Sequence, residues 1–153
     1  MKKGNLYYYF KDKEEILFAC HQHSLGRLLE VLEEIEHVPL PPEERLKRLI
    51  QAAVHIILDE LGGTALFLDL EALRPSHLRA LIVGRDRFDH GVRKIIAQGI
   101  ASGIFQPRDA KLTGFAILGA VNWIPRWFHP AGPSSSDHIA TVFADFLIAG
   151  LKR

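Results

Sequence analysis

The chain has 153 residues, of which 48% are hydrophobic and 24% charged, a balance typical of a soluble globular domain and not of a disordered segment. Its net charge of +1 gives no global argument for nucleic-acid binding, and the single cysteine, Cys20, excludes an internal disulfide and a cysteine-based zinc finger. No apolar run reaches the roughly 18 residues that a membrane span needs, and the N-terminus lacks a secretory core, so we predict a cytoplasmic protein with no membrane partner.

The charge is unevenly distributed along the chain. Residues 1–13 contain four lysines and one aspartate, which leaves the other 140 residues with a net charge of −2. A basic end of this size is typical either of a nucleic-acid contact or of an ordinary solvated terminus.

The first two predicted helices are long and separated by prolines. Asp12 is a good N-cap for a helix that begins at Lys13, because apolar residues then recur at three- and four-residue spacing. A proline-rich stretch at residues 39–42 ends this helix, and Pro42 begins a second one. We expect the second helix to continue to Leu61, where Gly62 and Gly63 stop it.

Shorter and longer helices follow in the second half of the chain. A short apolar helix is predicted for residues 64–73, and a longer one, capped by Ser76, to about Ser102. Asp109 caps the next helix, which should end near Phe128 after Pro125 kinks it or loosens its last turn.

A final helix is predicted to begin at Ser136, with one apolar stripe of Ile139, Val142, Phe143, Phe146, Leu147 and Gly150. No segment shows the alternation with period two that marks a half-buried strand. The predicted fold class is therefore all-α.

One stretch, residues 4–17, carries the most chemical information. It begins as a helix end with Tyr7, Tyr8, Tyr9 and Phe10, and continues through a basic turn into the first long helix. Tyrosine hydroxyls, lysine ammoniums and a helix N-terminus are all good phosphate donors, so the stretch fits a contact with a DNA backbone. A plain hydrophobic cluster at a helix junction, with tyrosine hydroxyls reaching solvent, accounts for the same residues.

This stretch resembles the junction between the recognition helix and the following long helix in the TetR family of transcriptional repressors. The matching residues are Gly4, Leu6, Tyr7, Tyr9, Phe10, Lys13, Glu14, Ile16 and Leu17. The resemblance implies an all-α, ligand-responsive repressor with a helix-turn-helix. It also implies that Tyr7, Tyr9 and Lys13 contact DNA phosphates, with Lys3 on or near the recognition surface.

Family members carry two helices and most of a third before this junction, whereas only three residues precede Gly4 here. We therefore expect residues 1–12 to be a remnant of the DNA-binding head and residues 13–153 to be the ligand-binding and dimerisation domain. Such an N-terminally truncated chain would bind operator DNA only if the missing head were present. The alternative is a headless module that binds ligand or forms heterodimers and does not bind DNA.

Residues 119–133 are similar to a segment of a TetR subgroup that includes regulators of lipid and steroid breakdown. In the family the last two long helices pair with their copies, so the resemblance implies a homodimer through the two last helices. The candidate interface residues are Phe115, Ala116, Gly119, Trp123, Phe143, Phe146 and Leu147. Alternatively, both stripes face the monomer's own core.

The family's effector pocket lies among the middle helices, and the resemblance implies a lipophilic or acyl-CoA-like effector. The candidate pocket residues are Phe18, Ile50, Val54, Phe67, Leu70, Leu81 and Phe88. Arg126, next to two tryptophans, is a candidate partner for an anionic ligand group. The alternatives are that each apolar residue belongs to the core and that Arg126 is a surface arginine.

The sequence offers no catalytic constellation. His21 and His23 are two residues apart and face different sides of a helix, so they cannot chelate a metal together. Neither a zinc-protease motif nor a phosphate loop nor a nucleophile elbow is present. We interpret Asp86 and Asp89, beside Arg85 and Arg87, as a solvated charged face, and we expect no enzyme activity, metal or cofactor.

Overall fold

The computed structural model describes residues 9–60 and 70–153. Within these ranges the chain is all-α, as predicted, and its only extended pairing is an isolated bridge between Phe105 and Lys152. The five long helices are α1 (Lys13–His37), α2 (Pro42–His55), α3 (Pro75–Ala101), α4 (Ala110–Trp123) and α5 (Ser136–Ala149). No helix in the described ranges is long and apolar enough to cross a membrane.

Side-chain caps begin three of these helices. The carboxylates of Asp12 and Asp109 accept hydrogen bonds from the backbone N–H groups of Glu15 and Leu112, at 3.0 and 2.9 Å. Ser135 caps α5 in the same way. The predicted cap at Ser76 is wrong, because α3 begins one residue earlier at Pro75, and its N-cap, Arg74, makes no side-chain cap. Proline suits the first helical position since the N–H it lacks would be unpaired there.

Helix ends also depart from the sequence predictions. The α-helical winding of α2 stops at His55 and continues as a π turn, Ile56–Glu60, a change that periodicity cannot predict because a π turn adds a single residue. Helix α4 ends at Trp123, not near Phe128, and a 3₁₀ turn containing Pro125 follows. Of the short helix predicted for residues 64–73, only a 3₁₀ turn, Leu70–Ala72, lies within the described residues.

Helices α1 and α3 lie side by side and run in the same direction. Glu14 near the start of α1 contacts His77 at 2.8 Å, and Glu36 near its end contacts Lys94 at 3.1 Å. Gly84 allows the close approach, because a Cβ atom there would lie 2.5 Å from the Leu25 side chain. Helix α2 packs against α1, α3 and α5, and α4 packs against α3. The largest fully buried side chains are Leu46, Leu49, Val54, Val92, Ile95, Ile96, Phe105 and Ile124.

An ionic cluster joins the beginnings of α1 and α3. The Arg74 guanidinium pairs with Asp12 and lies 3.4 Å from Glu14, whose carboxylate also accepts the Arg74 backbone N–H at 2.9 Å. Hydrogen bonds from the Glu15 backbone N–H, together with Arg74, lower the pKa of Asp12. Burial alone would raise the pKa of Glu14, but the hydrogen bonds from Arg74 and His77 outweigh it and lower this pKa as well.

We expect the Arg74→Gln variant to be less stable than the wild type near neutral pH, with a difference that shrinks in acid. A carboxyl group with a lowered pKa in the folded state stabilises the fold above its unfolded pKa, and this contribution is lost as the pH falls through the folded pKa. Urea unfolding from about pH 7 down to about pH 3 measures the difference. The Arg79→Gln variant, which alters an exposed arginine on the same helix, should track the wild type throughout. A constant gap between Arg74→Gln and the wild type would contradict the prediction.

Candidate ligand-binding site

A cavity of about 120 Å³ lies between α1, the π turn, α3 and the end of α4. Its lining residues are His21, Ser24, Leu25, Leu28, Ile56, Ile57, Leu81, Arg85, Asn122 and Pro125. The four residues from α1 are spaced so that they share one helix face, and Leu81 and Arg85 are likewise four apart on α3. The cavity therefore lies in the seam between the two parallel helices.

A larger groove of about 400 Å³ adjoins this cavity. The two hollows share four lining residues, Leu25, Leu28, Arg85 and Asn122. The groove continues between α3 and α4 and is also lined by Asp86, Phe88, Asp89, Arg93, Phe115, Leu118 and Gly119. A ligand of moderate size would find an apolar inner end and a more polar outer end.

Three polar side chains from α1 and α3 face the inner cavity. His21 is buried, and both this burial and the positive charge of Arg85 lower the pKa of its imidazole, which is therefore neutral at pH 7. Burial lowers the pKa of the Arg85 guanidinium too, although arginine remains charged in proteins. The Ser24 hydroxyl donates to the Cys20 carbonyl at 2.8 Å, so its oxygen faces a ligand only as an acceptor.

An ion pair between Asp89 and Arg93 lies in the wall of the groove. Both side chains are largely buried, and the Arg93 guanidinium also lies 5.0 Å from the centre of the Phe115 ring. The predicted solvated charged face is thus wrong for Asp89, because this residue is four positions from both Arg85 and Arg93 and shares their inward stripe. Arg85, Asp86 and Arg87 are exposed, as predicted.

The candidate pocket residues are distributed over several environments. Leu81 lines the cavity and Phe88 lines the groove, whereas Ile50 and Val54 are buried in the hydrophobic core. Phe18 stacks on His77 with ring centroids 3.8 Å apart. Leu70 lies in the 3₁₀ turn before α3, and Phe67 lies outside the described residues.

Arg126 is exposed, with its guanidinium 5.8 Å from the centre of the Trp123 ring, and it lines neither the cavity nor the groove. Sequence reasoning did not select His21, Arg85 or Asn122 for the ligand site. Periodicity carried a usable signal for two of them, since His21 and Arg85 continue the inward stripes of Phe18 and Leu81 at three- and four-residue spacing. The ligand roles of all these residues stay predictions.

The residues proposed to contact DNA lie at the beginning of the described chain. Tyr9 is helical and exposed, residues 10–12 interrupt the helix, and Lys13 is the exposed first residue of α1. A short helical end that passes into a long helix is what the junction motif predicts. Lys3 and Tyr7 lie outside the described residues, and the DNA contacts of all four stay predictions.

Large apolar side chains are exposed on both α4 and α5. Leu112, Phe115 and Trp123 on α4 and Val142 and Phe146 on α5 are large, exposed hydrophobic residues. Ala116 and Gly119 are also exposed, while Phe143 and Leu147 are partly buried. The single stripe predicted for α5 is wrong, since Ile139 packs inward with Ala140, Ala144 and Ile148. Helix α5 thus has one apolar face in the core and another in solvent.

Comparison with known proteins identifies the family to which this helical fold belongs. The profile of the tetracyclin repressor-like, C-terminal domain family matches residues 39–151. A crystal structure of the TetR family transcriptional regulator PfmR from Thermus thermophilus is similar, with a TM-score of 0.84, 31% identity, and coverage of 100% of this chain and 84% of PfmR. The chain belongs to the TetR family of transcriptional regulators. Its all-α fold and the parallel pair of α1 and α3 are accordingly those of a TetR-type regulator.

Two further relatives are informative about this TetR-family chain. It is 27% identical to the HTH-type transcriptional repressor KstR2 of Mycolicibacterium smegmatis, over 98% of this chain and 75% of KstR2. It also has the fold of AibR, solved in complex with isovaleryl coenzyme A and operator DNA, with a TM-score of 0.70, 23% identity, and coverage of 99% of this chain and 81% of AibR.

Proposed function

We propose that residues 13–153 form the ligand-binding and dimerisation domain of a transcriptional repressor whose effector is a lipophilic, acyl-CoA-like molecule. The observation that carries this proposal is the cavity in the seam between α1 and α3, with Leu25, Leu28 and Leu81 in its wall. An apolar hollow with a few polar groups is the usual form of a small-molecule site. The isovaleryl coenzyme A bound by AibR supports the same effector class.

The proposed mechanism depends on where the cavity lies. A ligand that enters between α1 and α3 must change how these helices pack, because Gly84 and Gly91 already bring them into close contact. Helix α1 begins at Lys13, next to residues 1–12, which we assign to the end of the DNA-binding head. Ligand binding would move this end of α1 and so change the spacing of two heads in a dimer.

We further propose that the chain forms a homodimer through α4 and α5, and that Tyr9 and Lys13 contact operator phosphates. The exposed side chains of Phe115, Trp123 and Phe146 support the dimer, since a dimer interface on α4 and α5 would remove these large apolar groups from water. The outer groove reaches Phe115 and Gly119, so the dimer interface would lie beside the ligand site.

Thermal denaturation with added ligands tests the effector class. An acyl-CoA present at 100 times its Kd should stabilise the chain by about 2.7 kcal/mol, which raises Tm by roughly 5–10 °C in a domain of this size. Aromatic acids serve as the comparison set. A Leu81→Trp variant, which fills the cavity, should lose the Tm increase, whereas Val83→Trp, at an exposed position of α3 that lines neither hollow, should keep it. Unchanged Tm values with every acyl-CoA would contradict the effector class.

A further inference from the structure

Arg85 is the charged residue among the four that line both the cavity and the groove. Its side chain lies where the inner cavity meets the outer groove, together with Asn122 from α4. Within the described part of the chain, the guanidinium makes neither a hydrogen bond nor an ion pair. Arg85 is exposed to solvent, so its guanidinium donors are accessible to a ligand at the junction of the two hollows.

The acidic groups nearby do not neutralise Arg85. Asp89, one turn further along α3, is paired with Arg93. Asp86 follows Arg85 directly in the helix and makes no ion pair with it. His21, the other titratable group in the cavity wall, carries no negative charge in any protonation state that proteins reach. Among the four residues that line both hollows, Arg85 is the charged one, whereas the groove as a whole is lined by two arginines and two aspartates.

The neighbouring groups fit an anion at this point. A guanidinium can donate two parallel hydrogen bonds to a carboxylate or a phosphate, and the amide of Asn122 can add another donor. On the inner side of Arg85 the wall is apolar, with Leu28, Ile57 and Leu81 among its residues. An amphipathic ligand would thus place its hydrocarbon part inside and its charged group at Arg85.

We infer that the effector carries a carboxylate or phosphate group and that Arg85 binds this group at the junction of the cavity and the groove. This inference rests on the proposed ligand-binding function and adds the charge of the ligand and the residue that selects it. It assigns to Arg85 the anion-binding role for which the sequence had suggested Arg126, an exposed residue outside both hollows.

Calorimetric titration of the chain with three probes tests the inference. Octanoate and octanoyl-CoA are anionic, one with a carboxylate at the end of the hydrocarbon and the other with phosphates, and octanamide is their neutral analogue. Because hydrogen bonds to charged groups contribute more than neutral ones, Arg85→Gln should weaken binding of the anionic probes about 10- to 100-fold and leave the affinity for octanamide unchanged. The affinity of Arg85→Lys for the anionic probes should lie between those of Arg85→Gln and the wild type, because lysine keeps the charge and loses the paired donors.

Arg87→Gln is the matched control, since Arg87 is an exposed arginine on the same helix and lines neither hollow. It should bind every probe as the wild type does. Unfolding curves of the Arg85 variants show whether they are folded, and the comparison with octanamide on the same sample is independent of protein quality.

The outcomes separate this inference from the proposed function. If Arg85→Gln loses affinity for octanoate alone, the group bound by Arg85 is a carboxylate. If it loses affinity for octanoyl-CoA alone, the group is a phosphate. If Arg85→Gln binds the anionic probes as tightly as the wild type, or octanamide binds the wild type as tightly as octanoate and octanoyl-CoA, the inference is wrong while the ligand site stands. If none of the probes binds the wild type, the ligand-binding function itself is overturned and the inference with it.

Discussion

Replacing Phe146 with glutamate is expected to convert a dimer into a monomer. Phe146 is the most exposed large hydrophobic residue of α5, at 77%, and Trp123 on α4 is 61% exposed. A buried aromatic residue at an interface commonly contributes about 2–4 kcal/mol, which corresponds to a roughly 30- to 1000-fold weaker dimer. Because a two-fold dimer contains the substitution twice, and each glutamate would be buried without a partner, the effect should lie toward the upper end.

Sedimentation velocity at micromolar concentration measures this effect directly. The wild type should sediment with twice the 17.2 kDa mass of the chain, and Phe146→Glu with the mass of one chain. Val83→Glu is the matched control, since Val83 is a 72% exposed apolar residue of α3, outside the proposed interface helices. The proposed interface is wrong if both variants remain dimeric, or if Val83→Glu dissociates and Phe146→Glu does not.

A second large effect is expected for Gly99→Ala, which should destabilise the fold. A Cβ atom at position 99 would lie 2.9 Å from Cγ of Phe105 and closer still to the ring edge, a separation that real Cβ atoms do not show. Phe105 cannot retreat easily, because its side chain is buried and its backbone N–H donates to the Gly99 carbonyl at 3.0 Å. Overpacking of this kind costs about 1–3 kcal/mol and exceeds the gain in helix propensity.

Urea unfolding of Gly99→Ala and Gly26→Ala provides the comparison. A Cβ atom at Gly26, within α1, would meet no other atom within 4 Å, so Gly26→Ala should gain up to about 1 kcal/mol from helix propensity alone. Adding Phe105→Leu to Gly99→Ala should recover part of the loss, because a smaller side chain leaves room for the methyl group. Equal stability of the two alanine variants would contradict the prediction, because it would mean that the Phe105 ring moves away from the added methyl group without cost.

Local sequence rules predicted most of the helices. Asp12 and Asp109 were identified as caps because a short carboxylate side chain before an apolar-periodic segment has few other roles, and both make the expected hydrogen bonds. The ends were harder to predict, as the π turn after His55 shows, since one extra residue in a turn leaves the hydrophobic period almost unchanged.

The ligand site was only partly predictable. Leu81 and Phe88 were named among apolar residues that could equally have been core, as Ile50 and Val54 are. Periodicity identifies which residues face inward, but not whether the space opposite them is filled. His21, Arg85 and Asn122 come from three helices, and only the packing of α1, α3 and α4 brings them around one hollow.

The amino-acid sequence alone determined the helical class, the caps at Asp12 and Asp109 and the junction motif around Tyr9 and Lys13, because each depends on residues within a few positions of one another. The tertiary structure decided which of two apolar faces of α5 is buried, and it placed the exposed Arg85 at the edge of a cavity. Both decisions depend on which helix lies opposite, and that is set by packing between segments distant in the chain.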